Sequence, residues 1–97
     1  MNEVKAVRIE GRTPAAAGEF RIDNDEQGRA ARLVFACPCG CDSIGAINLK
    51  PHGAQPSWDW DGDREKPTCS PSIRFSVSRD DMDHWHGYLT AGVFRSC

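Results

Sequence analysis

The sequence predicts an all-β fold: a small single-domain sandwich or barrel of short antiparallel strands, stapled by zinc. Three observations lead to this prediction. The chain has 97 residues, a size at which a buried core alone gives modest stability and a cross-link helps. Its apolar residues tend to recur at every second position, which is the strand period. Five cysteines, three of them in the run CPCGC, provide thiols that could hold a metal.

Seven short apolar segments form the predicted strands, and clusters of Gly, Pro, Asn and Asp separate them. These segments are Val4–Glu10, Glu19–Asp23, Arg32–Ala36, Ile44–Leu49, Ser57–Asp61, Ser72–Ser78 and Gly87–Phe94. The alternation is clear where Ile73, Phe75 and Val77 are interleaved with polar residues. A helix candidate begins at Asp23, but Gly28 lies in its middle, so we expect one turn at most. The last segment is typical of a strand, a glycine-containing turn and a second strand, and the whole spacing favours a sandwich or barrel spanning residues 1–97.

Charge and hydropathy narrow the classes of partner. The formal net charge is -2, so there is no electrostatic case for binding nucleic acid or an anionic membrane surface. The first residues, MNEVKAVRIEG, lack the features of a signal peptide, and no run approaches the roughly 20 apolar residues of a membrane span. We therefore expect a cytoplasmic protein whose partner is another protein, and the oligomeric state stays open.

The run CPCGC lies where a hairpin turn is expected, between RLVFA and SIGAINL. Pro38 and Gly40 allow the backbone to fold back sharply, which directs thiolates to one side as in a zinc knuckle. A disulfide within this run would close a strained ring, and an odd number of cysteines without a secretory signal is more typical of metal binding. Cys37 and Cys39 are the preferred ligands because the Cys-Pro pair that starts a knuckle begins at Cys37. Cys41 is the reserve.

Two histidines and the last cysteine provide the second half of the predicted site. Residues two apart on a strand point to the same face, so His84 and His86 could both address one ion. The strand, turn and strand that follow would return the chain so that Cys97 lies near His86, and a metal bond would then fix the last residue. The preferred second pair is His86 and Cys97, with His84 as the reserve. Four nitrogen and sulfur ligands favour zinc, and a closed set of four is structural.

A longer motif surrounds the two central tryptophans. The run WDWDGDREKPTCSPSI follows the Cys-Pro-Cys-Gly element and precedes a His-x5-Gly element and a late cysteine. The motif positions are Trp58, Trp60, Gly62, Asp63, Lys66, Pro67, Thr68, Pro71, Ser72 and Ile73. Over about the last two thirds of the chain, this pattern resembles a small family carried mostly by bacteriophages and prophages, sometimes labelled "ammonia monooxygenase".

The resemblance implies a Cys/His metal-binding protein of unknown function in the cytoplasm of a bacterial host. Members of that family tend to have a cysteine just before the histidine that matches His86, where this chain has His84. They carry an apolar residue where this chain has Cys69, so Cys69 is left out of the metal site. The first residues, up to about Arg29, lie outside the resemblance.

The leading functional interpretation is a zinc-stabilised β module that binds another protein or acts as an accessory factor, rather than an enzyme. The alternative is a zinc hydrolase with one coordination position open to water and Asp83 or Asp63 as the base. An iron redox centre is less favoured, because a Rieske cluster takes one Cys and one His from each of two loops. Trp58 and Trp60 are expected to pack in the core, and the aspartates beside them to shape a turn.

Overall fold

A computed structural model describes residues 3–40, 43–50, 53, 57–75 and 85–96 of the chain. Within these residues the chain forms nine strands and no helix, which confirms the predicted all-β fold class. The strands are β1 (Glu3–Lys5), β2 (Val7–Arg8), β3 (Glu19–Asn24), β4 (Ala30–Ala36), β5 (Ile44–Leu49), β6 (Ser57–Trp60), β7 (Cys69–Phe75), β8 (Trp85–Thr90) and β9 (Val93–Ser96). No segment of this part of the chain is helical, long and apolar enough to cross a bilayer.

The strands follow the order β1-β9-β8-β7-β6-β5-β4-β3-β2. Two stretches of chain each pair with one strand over their first residues and with another over their last. The first stretch pairs antiparallel with β9 through β1 and then, after Ala6, parallel with β3 through β2. In β6, Ser57 and Trp58 pair with β5, whereas Asp59 and Trp60 pair with β7. Because β1 and β2 end the order and are consecutive in sequence, the sheet closes almost completely into a barrel.

The core lies between the two halves of this sheet. Phe35 on β4 and Phe94 on β9 pack with their ring centroids 5.5 Å apart and their planes tilted by 37°. Trp85 on β8 meets Phe94 edge to face, with centroids 5.9 Å apart. Along β8 the residues Trp85, Gly87 and Leu89 are buried, and the residues between them are not. The alternation therefore places His86 on the outer face of the barrel.

The described part of the cysteine-rich run, Cys37 to Gly40, lies between the antiparallel strands β4 and β5, where the sequence predicts the hairpin turn. Ala36 pairs with Ile44 across this hairpin. The amide of Cys37 donates to the carbonyl of Ser43 at 2.8 Å, and the amide of Gly40 donates to the carbonyl of Cys37 at 3.0 Å. Gly40 has a φ of +86°, a conformation that costs glycine little, so this residue allows the chain to reverse.

Several strand ends differ by a few residues from the prediction, and two of the differences have a visible cause in the pairing. The segment Val4–Glu10 is divided at Ala6, because the chain changes its pairing partner there. β7 begins at Cys69 instead of Ser72, since an irregularity in its register allows Pro71 to lie within the strand.

Candidate active site

The cysteine turn places two of the predicted zinc ligands side by side. The sulfur atoms of Cys37 and Cys39 are 3.2 Å apart, well beyond the ~2.05 Å of a disulfide bond. Two thiolates that share a tetrahedral zinc ion lie ~3.8 Å apart, so a small movement of one side chain would suit a metal. Cys37 is 1% exposed and belongs to the core, whereas Cys39 is exposed.

The remaining predicted ligands are either outside the described residues or engaged elsewhere. Cys41, His84 and Cys97 are outside them. His86 contacts Ser72 on the outer face of the barrel. Across the ranges that the structure describes, no three His, Cys, Asp or Glu side chains gather so that they could hold a metal. The four-ligand zinc site therefore stays a prediction, with its first two residues adjacent.

Cys69 is a different kind of cysteine. It is 3% exposed and lies in the core. Burial, with a smaller contribution from the negative charge of Asp61, raises the pKa of Cys69 to about 12. Metals bind the thiolate form, and this thiol stays protonated at neutral pH.

The aspartates after β6 shape a turn. Asp61 accepts hydrogen bonds from the amides of Asp63 and Thr68, at 3.0 and 3.3 Å. Asp63 accepts from the amides of Lys66 and Glu65, at 2.9 and 2.8 Å. These two amides lower the pKa of Asp63, which makes its carboxylate a weak base. The aspartates therefore shape the turn, as the sequence predicts, and Asp63 is poorly suited to the role of general base.

Trp58 and Trp60 both pack against the core while remaining partly exposed, as expected from their alternation. Their indole N–H groups have separate tasks. Trp60 Nε1 donates to the carbonyl of Asp63 at 3.2 Å and so ties the turn to β6. Trp58 Nε1 donates to the carbonyl of Ser72, also at 3.2 Å.

β7 and β8 bring a serine and a histidine together on the outer face of the barrel. His86 pairs with Arg74, and Gly87 pairs with the buried Ile73. Ser72 lies two positions before Arg74, so it shares a face with His86 as a diagonal neighbour. The hydroxyl oxygen of Ser72 is 3.1 Å from Nε2 of His86, and both side chains are partly buried.

An irregularity in β7 accompanies this contact. Cys69 pairs with Leu89 and Ile73 pairs with Gly87, so four steps along β7 face two steps along β8. The two extra residues form a bulge that contains Pro71, which has no N–H to give to a ladder. Bulges bend a strand and redirect side chains, and they are frequent beside active sites. Here Ser72 lies at the end of the irregular stretch, directly before the paired Ile73.

A serine hydroxyl within hydrogen-bonding distance of an imidazole nitrogen is the arrangement used for nucleophilic acyl transfer. The hydroxyl of Ser57 differs from that of Ser72: in the described part of the chain it is buried and lacks a hydrogen-bond partner. The sequence marks Ser72 as part of a rigid Pro-Ser-Ile element and His86 as a metal ligand. Ser72 and His86 are 14 positions apart in the sequence. The alternation that begins at Ile73 does not indicate which residues lie opposite it, so only the pairing of β7 with β8 could have revealed the contact.

Comparison with known proteins gives one family. A family model described as "Bacterial ubiquitination-like system serine protease (BubE)" matches residues 7–97. No curated protein and no solved structure matches significantly. The match says nothing of the phage-borne family that the tryptophan motif resembles. Since it spans nearly all of the sequence, the chain belongs to the BubE family of a bacterial ubiquitination-like system.

Proposed function

We propose that this protein is a serine peptidase that cleaves a protein substrate in a bacterial ubiquitination-like system, with Ser72 as the nucleophile and His86 as the general base. The observation that carries the proposal is the 3.1 Å contact between Ser72 Oγ and His86 Nε2. The family description, which names a serine protease, supports the same chemistry.

The reaction has two stages, acylation and hydrolysis, and His86 accepts and returns one proton in each. Nε2 of His86 accepts the hydroxyl proton as Ser72 Oγ attacks the carbonyl carbon of the scissile peptide bond. The same proton then passes to the leaving amine as the carbon–nitrogen bond breaks, which leaves an ester on Ser72. Water next attacks the ester carbonyl and gives a proton to His86, which returns it to Ser72 Oγ as the acid leaves.

The position of the pair suits a polypeptide substrate. Ser72 and His86 lie on an outer sheet face, where Tyr88, two positions after His86, is 49% exposed. An open face of this kind accepts an extended segment of another protein, and exposed aromatic side chains are frequent in such contacts. The expectation that the partner is a protein therefore becomes the expectation that the substrate is one.

A structural zinc is compatible with this activity if His86 is not one of its ligands. Nε2 of His86 cannot take the proton of Ser72 while that nitrogen binds a metal. We therefore propose that a zinc ion on Cys37 and Cys39 would take its other ligands from Cys41, His84 and Cys97. Such a site would stabilise the fold and leave the serine–histidine pair free.

The test is covalent labelling with a fluorophosphonate probe, followed by mass spectrometry of the modified peptide. The unmodified protein should be labelled at Ser72, and Ser72→Ala should abolish the adduct. His86→Gln should slow labelling by at least about 100-fold, since the base is then lost. Ser70→Ala, which changes an exposed serine in the same strand, should label at the normal rate.

Two outcomes would contradict the proposal. One is a folded protein that the probe does not label, which would favour an accessory module without catalysis. The other is an adduct that persists in Ser72→Ala, which would place the nucleophile elsewhere.

A further inference from the structure

We infer that Trp58 is a positioning residue for the nucleophile: its indole N–H fixes the backbone of Ser72 so that the hydroxyl meets His86. The inference rests on the proposed function and assigns a catalytic purpose to the first tryptophan of the Trp-x-Trp motif. It starts from the 3.2 Å hydrogen bond between Trp58 Nε1 and the carbonyl oxygen of Ser72.

Ser72 needs such a support because the strand is irregular where this residue lies. On one side, the register between β7 and β8 passes from Cys69 directly to Ile73. On the other side, β6 pairs with β7 only at Cys69 and Ser70. The register thus gives Ser72 no directly opposed residue on either neighbouring strand. The indole N–H of Trp58 gives the carbonyl of Ser72 a donor at this irregular position.

Trp58 is well placed to hold this donor still. It pairs with Leu49 of β5, at the point where β6 passes from β5 to β7. Its ring packs against the core and is only partly exposed. Packing and the pairing with β5 hold the indole of Trp58 in place. Its N–H therefore links the carbonyl of Ser72 on β7 to the part of the sheet that begins at β5.

The expected consequence is kinetic. Loss of the N–H would let the backbone of Ser72 shift and would weaken the alignment of Oγ with His86 Nε2. A displacement of about 1 Å in a reacting group costs on the order of 100-fold in rate. Trp58→Phe, which keeps an aromatic ring and removes the donor, should lower the maximal rate of labelling by about 10- to 100-fold.

The experiment separates this rate from binding. With a fluorophosphonate probe, the maximal inactivation rate constant should fall in Trp58→Phe, and the half-saturating probe concentration should stay within about twofold, because probe contacts are unchanged. Trp60→Phe is the matched control: it loses an indole hydrogen bond of the same length, 3.2 Å, to the carbonyl of Asp63. This control should label at close to the normal rate.

A second variant guards against poor folding of Trp58→Phe. Benzothienylalanine at position 58 keeps the shape of indole and replaces the N–H with sulfur, and it should show the same loss of rate with an unchanged melting temperature. Normal labelling by this variant, or an equal loss in Trp60→Phe, would overturn the inference. Either result would leave the assignment of Ser72 intact, since that assignment depends on Ser72→Ala.

Discussion

Cys37 and Cys69 are both buried, but their surroundings differ. The sulfur of Cys37 lies 3.2 Å from that of the exposed Cys39. Cys69 is surrounded by core residues, and its pKa is raised to about 12 because the thiolate would lose its hydration there. A metal could therefore bind at the turn, whereas Cys69 is expected to act as a small apolar residue.

Replacement of these cysteines should separate the two roles. Cys69→Ser should keep about one zinc per chain, because its thiol is protonated and, among the described residues, forms no metal-holding group with Cys37 and Cys39. Cys37→Ser should reduce the zinc content to well below one per chain, since a ligand is lost. Inductively coupled plasma mass spectrometry of the purified variants measures this directly. Equal loss from both variants would show that Cys69 belongs to the metal site.

The sequence predicts the reactive residue types better than it predicts their partners. His86 stands out because it lies beside His84 and before a late cysteine, and that setting favours a metal. Ser72 stands out because it belongs to a rigid Pro-Ser-Ile element. Their contact depends on the register that sets Arg74 opposite His86, beside an irregularity that offsets β7 by two residues against β8. Register changes of this kind come from tertiary packing, and local sequence does not encode them in a readable form.

At the scale of a single element, the loop before β3 is held by one carboxylate. Glu19 accepts two hydrogen bonds from the guanidinium of Arg12, at 2.8 and 2.7 Å. It also accepts from the amides of Ala15 and Ala16, at 2.9 and 3.0 Å. The bond to Arg12, followed by those to the two amides, lowers the pKa of Glu19 to about 2. The loop and the first residue of β3 thus depend on an ionised side chain.

This dependence predicts an effect of acid. The folded state holds Glu19 ionised down to a pKa of about 2, compared with 4.5 as the ordinary value, so its stabilisation is complete above pH 4.5 and is lost as the pH falls towards 2. Glu19→Gln should unfold at a lower urea concentration than the unmodified protein at pH 7. The difference should shrink steadily between pH 4.5 and pH 2.

Glu26→Gln, in the turn after β3, is the control for this measurement. The urea concentration at which Glu26→Gln is half unfolded should equal that of the unmodified protein at every pH. The urea midpoints of Glu19→Gln and the unmodified protein are then compared. A difference as large at pH 2.5 as at pH 7 would show that the carboxylate charge of Glu19 does not hold the loop.

For the molecule as a whole, the fold class follows from the period of the sequence, but the closure of the sheet does not. Short alternating segments predict an all-β domain, and five of the seven segments overlap a single strand. The change of partner at Ala6 and the division of β6 between β5 and β7 are invisible in the sequence. Each depends on where the neighbouring strands lie, which is a property of the assembled barrel.

Metal removal should affect this whole structure if the zinc prediction holds. A site occupied at about 1,000 times its dissociation constant contributes about 4 kcal/mol, and each kcal/mol moves the melting temperature of a domain of this size by about 4–8 °C. A strong chelator should therefore lower the melting temperature by about 15–30 °C in a calorimetric scan. The double variant Cys37→Ser/Cys39→Ser should melt at the same temperature with and without chelator. A chelator-insensitive melt of the unmodified protein would rule out a structural zinc.

The pairing of β1 with β9 has a further consequence, for synthesis of the chain. Glu3 lies opposite Arg95, so these two strands come from positions about 90 residues apart. On the ribosome, β1 emerges early and has no partner until β9 has also left the exit tunnel. During that interval the edges that later close the barrel are open to other chains, and strand edges of this kind promote aggregation. Slow, non-local closure makes the nascent protein most vulnerable just before its last strand is complete.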